Sequence, residues 1–229
     1  MTSPKTPHPV RLVIFDFDGT LYALPRFLKL RVTLMMFSSV GILRRMSRVR
    51  DWLRRQEYPT QRELFQAFFQ ELGRSAGKPA EVIEKWYFND FNPAVVRMMR
   101  RNCKPRPGLD DLLDHLSAAG IKTAIVSDIG FIDERLQALQ ISPDRFSVRL
   151  SSEETGALKP HPRSFLAAAR KVGSPPAETM VIGDRIDLDG AAAQAAGMQF
   201  LYVSPSDRST PPGALSWPRL LSELRIITR

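Results

Sequence analysis

The feature that most constrains this chain is a short apolar run, Val10, Leu12, Val13, Ile14 and Phe15, that leads straight into Asp16-Phe17-Asp18-Gly19-Thr20. A strand covered on both faces reads as a near-continuous apolar run, and Arg11 alone interrupts this one. The run therefore predicts a buried strand of a parallel sheet, with two carboxylates at its carboxyl end, where open α/β sheets keep their chemistry. Gly19 lets the chain turn sharply as it leaves the sheet. Two acids sharing one crevice repel each other until a cation or a proton neutralises them, and a magnesium ion is the expected answer.

With 229 residues the chain has room for one α/β domain with an insertion, or for two small domains. A hydrophobic content of 43% with 25% charged residues excludes a chain too polar to bury a core. Cys103 is the single cysteine, which excludes an intrachain disulfide and leaves a small packing thiol. The first residues lack the apolar centre of a secretory signal, and the stretch Val32 to Leu43 is short for a membrane span, so a soluble cytoplasmic protein is expected. Pro4, Pro7 and Pro9, and the segment Ser206 to Pro212, read as a loose leader and a surface linker.

From the first strand to Arg106-Pro107-Gly108 the periodicities are helical. Ile42, Met46, Val49 and Leu53 share one helix face, with Arg44, Arg48, Asp51 and Arg55 opposite; Leu64, Phe65, Phe68, Phe69 and Leu72 form a second stripe ended by Gly73. Trp86, Tyr87, Phe88 and Phe91 are expected to pack the core of this module. Beyond Gly108 helix and strand alternate, as in a parallel sheet. Helices are predicted at Leu109 to Ala119, Phe131 to Leu139, Pro162 to Val172 and Leu188 to Ala196, and strands at Ile121 to Val126, Phe146 to Leu150, Thr179 to Ile182 and Phe200 to Val203. The fold class is thus α/β, a Rossmann-like parallel sheet interrupted by an all-helical module. Residues 1–20 and 105–229 are assigned to the sheet domain and 21–104 to the insertion.

Polar residues recur where these strands stop. Ser127-Asp128 offers a hydroxyl and backbone amides to a phosphate oxygen, although the same pair commonly caps a helix. Lys159 lies in a stretch restrained by Pro160 and Pro162, which can aim its ammonium inward at a transferring phosphoryl group. His161 reads as a loop residue, since His8, His115 and His161 show no metal-ligand spacing. Gly183-Asp184 ends another strand, and Asp184 is the natural magnesium ligand; Asp187 and Asp189 follow either as further ligating acids or as acids at a helix start.

In order along the chain, Asp16-Phe17-Asp18-Gly19-Thr20-Leu21, Ser127, Lys159-Pro160 and Gly183-Asp184-Arg185-Ile186-Asp187-Leu188-Asp189-Gly190-Ala191 resemble the four motifs of the haloacid dehalogenase (HAD) superfamily. The helical insertion is similar to the C1-type cap of that superfamily. The resemblance implies a nucleophile at Asp16, forming an aspartyl-phosphate, and a general acid and base at Asp18. It implies phosphoryl oxygens held by Ser127, Asp128 and Lys159. It also implies a magnesium site of Asp16, the Asp18 backbone carbonyl and Asp184, supported by Asp189. Dehalogenases lack an acid at the place of Asp18, so phosphoryl transfer is implied in preference to carbon–halogen cleavage. Asp128 stands where many relatives have Asn, and Tyr22-Ala23 departs from the Asp-Ser or Asp-Thr of phosphoglycolate phosphatases and sugar phosphomutases.

The expected activity is therefore a magnesium-dependent phosphatase of a small phosphorylated metabolite, with a phosphotransferase or mutase as the enzymatic alternative. Residues 21–104 hold 17 Lys or Arg against 7 Asp or Glu, while the remainder holds 16 against 17. The six arginines from Arg44 to Arg55 are expected to be a solvated helix face; the alternative is that they draw in a polyanionic substrate. A membrane-surface role would rest on the apolar Phe27 to Leu43 and its basic flanks, and a nucleic-acid role on the basic module, but no nucleic-acid partner is expected. The oligomeric state is not written in these residues.

Overall fold

A computed structural model of the chain describes residues 9–25, 36, 39–206 and 210–227. The prolines at 4 and 7, most of the apolar stretch that begins at Phe27, and residues 207–209 of the proposed linker lie outside these. Five parallel strands form one sheet in the order β3-β2-β1-β4-β5: β1 (Leu12–Phe15), β2 (Lys122–Ser127), β3 (Val148–Ser151), β4 (Thr179–Gly183) and β5 (Gln199–Tyr202). All four residues of β1 are buried, because it is central and covered on both sides. Val13 and Phe15 face a layer formed by α5 (Leu109–Ala118), α6 (Ile132–Ala138) and α9 (Trp217–Ile227), and Leu12 and Ile14 face α7 (Arg163–Val172) and α8 (Ala191–Ala195). Trp217, Leu220 and Leu224 tie the C-terminal helix to the first of these layers.

Between β1 and β2 stand α1 (Val40–Leu53), α2 (Gln61–Ala76), α3 (Ala80–Trp86) and α4 (Asn92–Asn102), with a π-helical turn at Tyr87–Phe91 joining the last two. They enclose a third apolar core in which Phe68, Phe69, Leu72, Trp86, Tyr87 and Phe91 meet, as the stripes predicted. Tyr22 and Pro105 pair as an isolated bridge, and the Arg106 amide donates to the Leu21 carbonyl, so the chain enters and leaves this module side by side. Leu158, from the sheet domain, is buried in the same helical core. No helix among the described residues is long and apolar enough to cross a membrane.

Three local expectations change. The helix expected to stop at Gly73 runs through it to Ala76 and ends at Gly77, whose φ of 65° supplies the left-handed cap. Gly73 is needed instead for packing, since a Cβ there would lie 2.6 Å from the Lys78 carbonyl oxygen. The helix expected at Leu188 to Ala196 begins as a π-helical turn, Ile186–Gly190, before α8. Ser127-Asp128 caps no helix: α6 begins at Ile132 after Phe131, with no side-chain cap.

Candidate active site

Parallel pairing puts the ends of β1, β2 and β4 level, with Phe15 opposite both Ile125 and Ile182. Asp16, Ser127 and Asp184 therefore emerge from one edge of the sheet, and the Asp16 amide donates to the Ile182 carbonyl at 2.8 Å. Lys159 arrives from the loop before α7, and its Nζ donates to Asp16 Oδ1 at 2.6 Å and to Asp189 Oδ1 at 2.7 Å. Thr20 Oγ1 donates to the other Asp16 oxygen at 3.1 Å. Asp16, Asp18, Lys159 and Asp184 line a cavity of about 270 Å³, whose roof carries Arg50 and Arg54 from the C-terminal end of α1.

Carboxylate oxygens of Asp16, Asp184 and Asp189 lie within 4.8 Å of one another, and all three residues are buried. Burial, followed by Asp189 and Asp18, pushes the Asp184 carboxyl up to about 7. Asp16 is raised well above the ordinary carboxylate range, chiefly by burial, against the pull of Lys159. Burial alone would lower the Lys159 ammonium, but Asp16, Asp189 and Asp128 more than offset it, and its pKa is raised. Crowded carboxylates with one ammonium leave negative charge that a hard, oxygen-seeking cation suits. Asp189 offers little to such a cation, because Lys159 holds one of its oxygens and the Arg185 amide the other, at 3.2 Å. Among the described residues no protein group hydrogen-bonds the Asp184 carboxylate, which leaves it for a ligand. Two glycines permit this crowding: a Cβ on Gly19 would run into the Asp184 carboxylate, and one on Gly183 would lie 2.5 Å from that of Asp189.

Asp18 turns toward partners absent from the sequence reading. Tyr22 Oη donates to its Oδ1 at 2.6 Å and Arg135 Nη2 to its Oδ2 at 2.5 Å. Burial would raise this carboxyl, but the guanidinium of Arg135 and the Tyr22 hydroxyl prevail and hold it below the usual range. Ser127 Oγ accepts from Arg135 Nη1 at 3.0 Å and from the Ile129 amide at 3.3 Å. The Asp128 side chain faces the protein: its Oδ1 accepts the Lys159 amide at 3.0 Å and its Oδ2 accepts Arg54 Nη2 at 3.1 Å. A carboxylate so used orders Lys159 and the roof. Asp187 is exposed and pairs with Arg185, at 2.5 and 2.8 Å, away from the acid cluster. His161 is a loop residue, within 3.2 Å of Glu57.

The arginine run divides. Arg44, Arg45, Arg48 and Arg55 are exposed, as a solvated face requires, but Arg50 is buried and Arg54 half-buried. Arg50 donates to Glu153 Oε1 at 2.9 Å and to the Asp128 carbonyl at 2.6 Å, and Tyr87 Oη reaches the same Glu153 oxygen at 2.7 Å. A buried Glu153 thus gathers two groups of the helical module onto the sheet domain.

Fold and site together define an α/β protein with buried carboxylates gathered at the ends of its parallel strands. The family model for haloacid dehalogenase-like hydrolases matches residues 10–197, and the chain belongs to that family. The glyceraldehyde 3-phosphate phosphatase of Methanocaldococcus jannaschii is 25% identical over 203 residues, 82% of either chain. Matches to three further curated phosphatases span between 41% and 64% of those proteins. A HAD phosphatase from Thermococcus onnurineus superposes with a TM-score of 0.63 at 20% identity, covering 95% of this chain and 97% of that one. A 2-haloacid dehalogenase from Pseudomonas syringae pv. Tomato DC3000 does so with 0.62 at 21% identity and the same coverage. The fold is therefore common to phosphatases and dehalogenases, and the choice between them falls to the site. The chain is an enzyme of this hydrolase family.

Proposed function

We propose that the enzyme is a magnesium-dependent phosphatase of small phosphorylated metabolites that works through a phosphoryl group carried on Asp16, beneath a helical cap formed by residues 21–104. The observation that carries this reading is the buried Lys159 ammonium held between Asp16 and Asp189, with Asp184 beside them and a second carboxylate, Asp18, two residues beyond the nucleophile. An Asp16 oxygen forms a bond to phosphorus as the ester P–O bond breaks, and Asp18, which takes up a proton from solvent as the substrate enters, gives that proton to the departing oxygen. Asp18 then takes a proton from water, whose oxygen attacks phosphorus and releases Asp16. Lys159 and Ser127 hold phosphoryl oxygens, and Asp189 keeps Lys159 aimed. Asp16, Asp184 and the Asp18 backbone carbonyl would hold magnesium, which supplies positive charge beside the phosphoryl oxygens.

Carbon–halogen cleavage has no use for a proton donor at Asp18, and this supports phosphate esters over haloacids. The relatives named for glyceraldehyde 3-phosphate, phosphoglycolate and ribulose 1,5-bisphosphate support a small phosphorylated substrate. Arg50 and Arg54 in the roof suit a substrate with a further anionic group. Release of phosphate from p-nitrophenyl phosphate tests the reading. It should require magnesium, stop with EDTA, and be absent from Asp16→Asn; undiminished activity in that variant overturns the mechanism.

A further inference from the structure

We propose that Arg135 is a positioning residue for the leaving-group step: it fixes the Asp18 carboxylate relative to the Ser127 hydroxyl. This rests on the phosphatase reading above. Arg135 lies on α6 and is 1% exposed, so its guanidinium is stranded from water and needs partners. Those partners belong to the site. Nη2 takes Asp18 Oδ2 at 2.5 Å, Nη1 takes Ser127 Oγ at 3.0 Å and the Ile129 carbonyl at 3.1 Å, and the guanidinium carbon sits 3.9 Å from the centroid of the Phe17 ring.

The geometry does more than neutralise a charge. Tyr22 Oη holds the second Asp18 oxygen, so two donors on two oxygens set the rotation of the carboxyl group. The rigid fork of one guanidinium then spans the group assigned to hand over a proton and the group assigned to grip a phosphoryl oxygen. A lysine has the charge but not the span. Arg135 Nε is buried without a hydrogen-bond partner, a cost that a role confined to anchoring α6 would not favour.

Two aryl esters that differ by one nitro group separate positioning from general stability. Phenolate is a far poorer leaving group than p-nitrophenolate, so phenyl phosphate depends on protonation by Asp18 and p-nitrophenyl phosphate scarcely does. The quantity to measure is kcat/KM for p-nitrophenyl phosphate divided by that for phenyl phosphate, a ratio independent of how much of a preparation is folded. Asp18→Asn should raise it. Arg135→Gln should raise it in the same direction by about tenfold or more, Arg135→Lys by less, and Tyr22→Phe measurably. A ratio that rises in Asp18→Asn but stays at the wild-type value in Arg135→Lys and Arg135→Gln, or in Arg135→Lys and Tyr22→Phe should Arg135→Gln not fold, overturns the proposal and leaves the phosphatase reading standing. A wild-type enzyme that cleaves neither ester, or an Asp18→Asn ratio that does not move, overturns the underlying reading, and this proposal with it.

Discussion

Lys159 Nζ lies 2.6 Å from Asp16 Oδ1, with both side chains nearly closed to water. In the proposed mechanism the ammonium acts on the nucleophile and on charge developing beside it at low effective dielectric. Lys159→Ala is expected to lower kcat for phosphate release about 10²–10³-fold, the range for losing one such donor. Stopped assays with p-nitrophenyl phosphate check it; a loss below about threefold would remove Lys159 from the chemistry.

Asp184 is assigned to magnesium because its carboxylate is not taken up by protein donors, whereas Asp189 is. Asp184→Ala should raise the magnesium concentration for half-maximal activity by at least about tenfold. Asp189→Asn, one step removed, should cost about 10–100-fold in metal affinity or activity. Activity measured against magnesium concentration gives the first value, and calorimetric titration with magnesium gives the second.

The acids also predict how stability follows pH. Without metal, burial pushes the Asp184 carboxyl up to about 7 in the folded state, while the unfolded chain gives up that proton near the ordinary carboxylate value of 3.8. Stabilisation from this proton is complete below the unfolded value and is lost as pH rises through about 7. In EDTA the Tm should therefore fall between about pH 5 and pH 8, and added magnesium should raise it most at the alkaline end, because the metal needs the ionised carboxylates. Thermal melts across that range decide it, and a magnesium shift largest at acid pH would contradict this account of the cluster.

Arg50 and Glu153 form a buried pair, 8% and 3% exposed, between the helical module and the sheet domain. Arg50→Ala strands the carboxylate and should cost about 3–5 kcal/mol by urea denaturation. Glu153→Gln with Arg50→Met removes both charges and should recover much of that loss. A single variant as stable as the parent would show that the pair is not what holds the two parts together.

Much of this was legible because a parallel strand buried on both faces announces itself in sequence, and the residue that follows it is placed by the sheet. Asp16, Ser127 and Asp184 were found that way. Lys159 is marked by the restraint of Pro160 and Pro162 and by the order of motifs, but nothing local shows that Asp128 holds its amide. Arg135 was missed because an arginine in a short helix reads as solvated. Its position three residues after Ile132 and one before Leu136 put it on the buried stripe, which was the available signal. Arg50, four residues after Met46 and three before Leu53, lay at the edge of a stripe in the same way. Their partners are 117 and 103 residues distant, and no helical period encodes those pairings.

Asp128 reaches the backbone of Lys159 with one oxygen and the Arg54 guanidinium with the other, while its carbonyl receives Arg50. The helical module thus reaches Lys159 through Asp128, beside a second tie in which the Tyr58 amide donates to the Gly156 carbonyl. Transplanting a foreign helical module onto this sheet would exchange more than a surface: without arginines at both places, Asp128 would lose the two contacts that brace it while it holds the Lys159 amide.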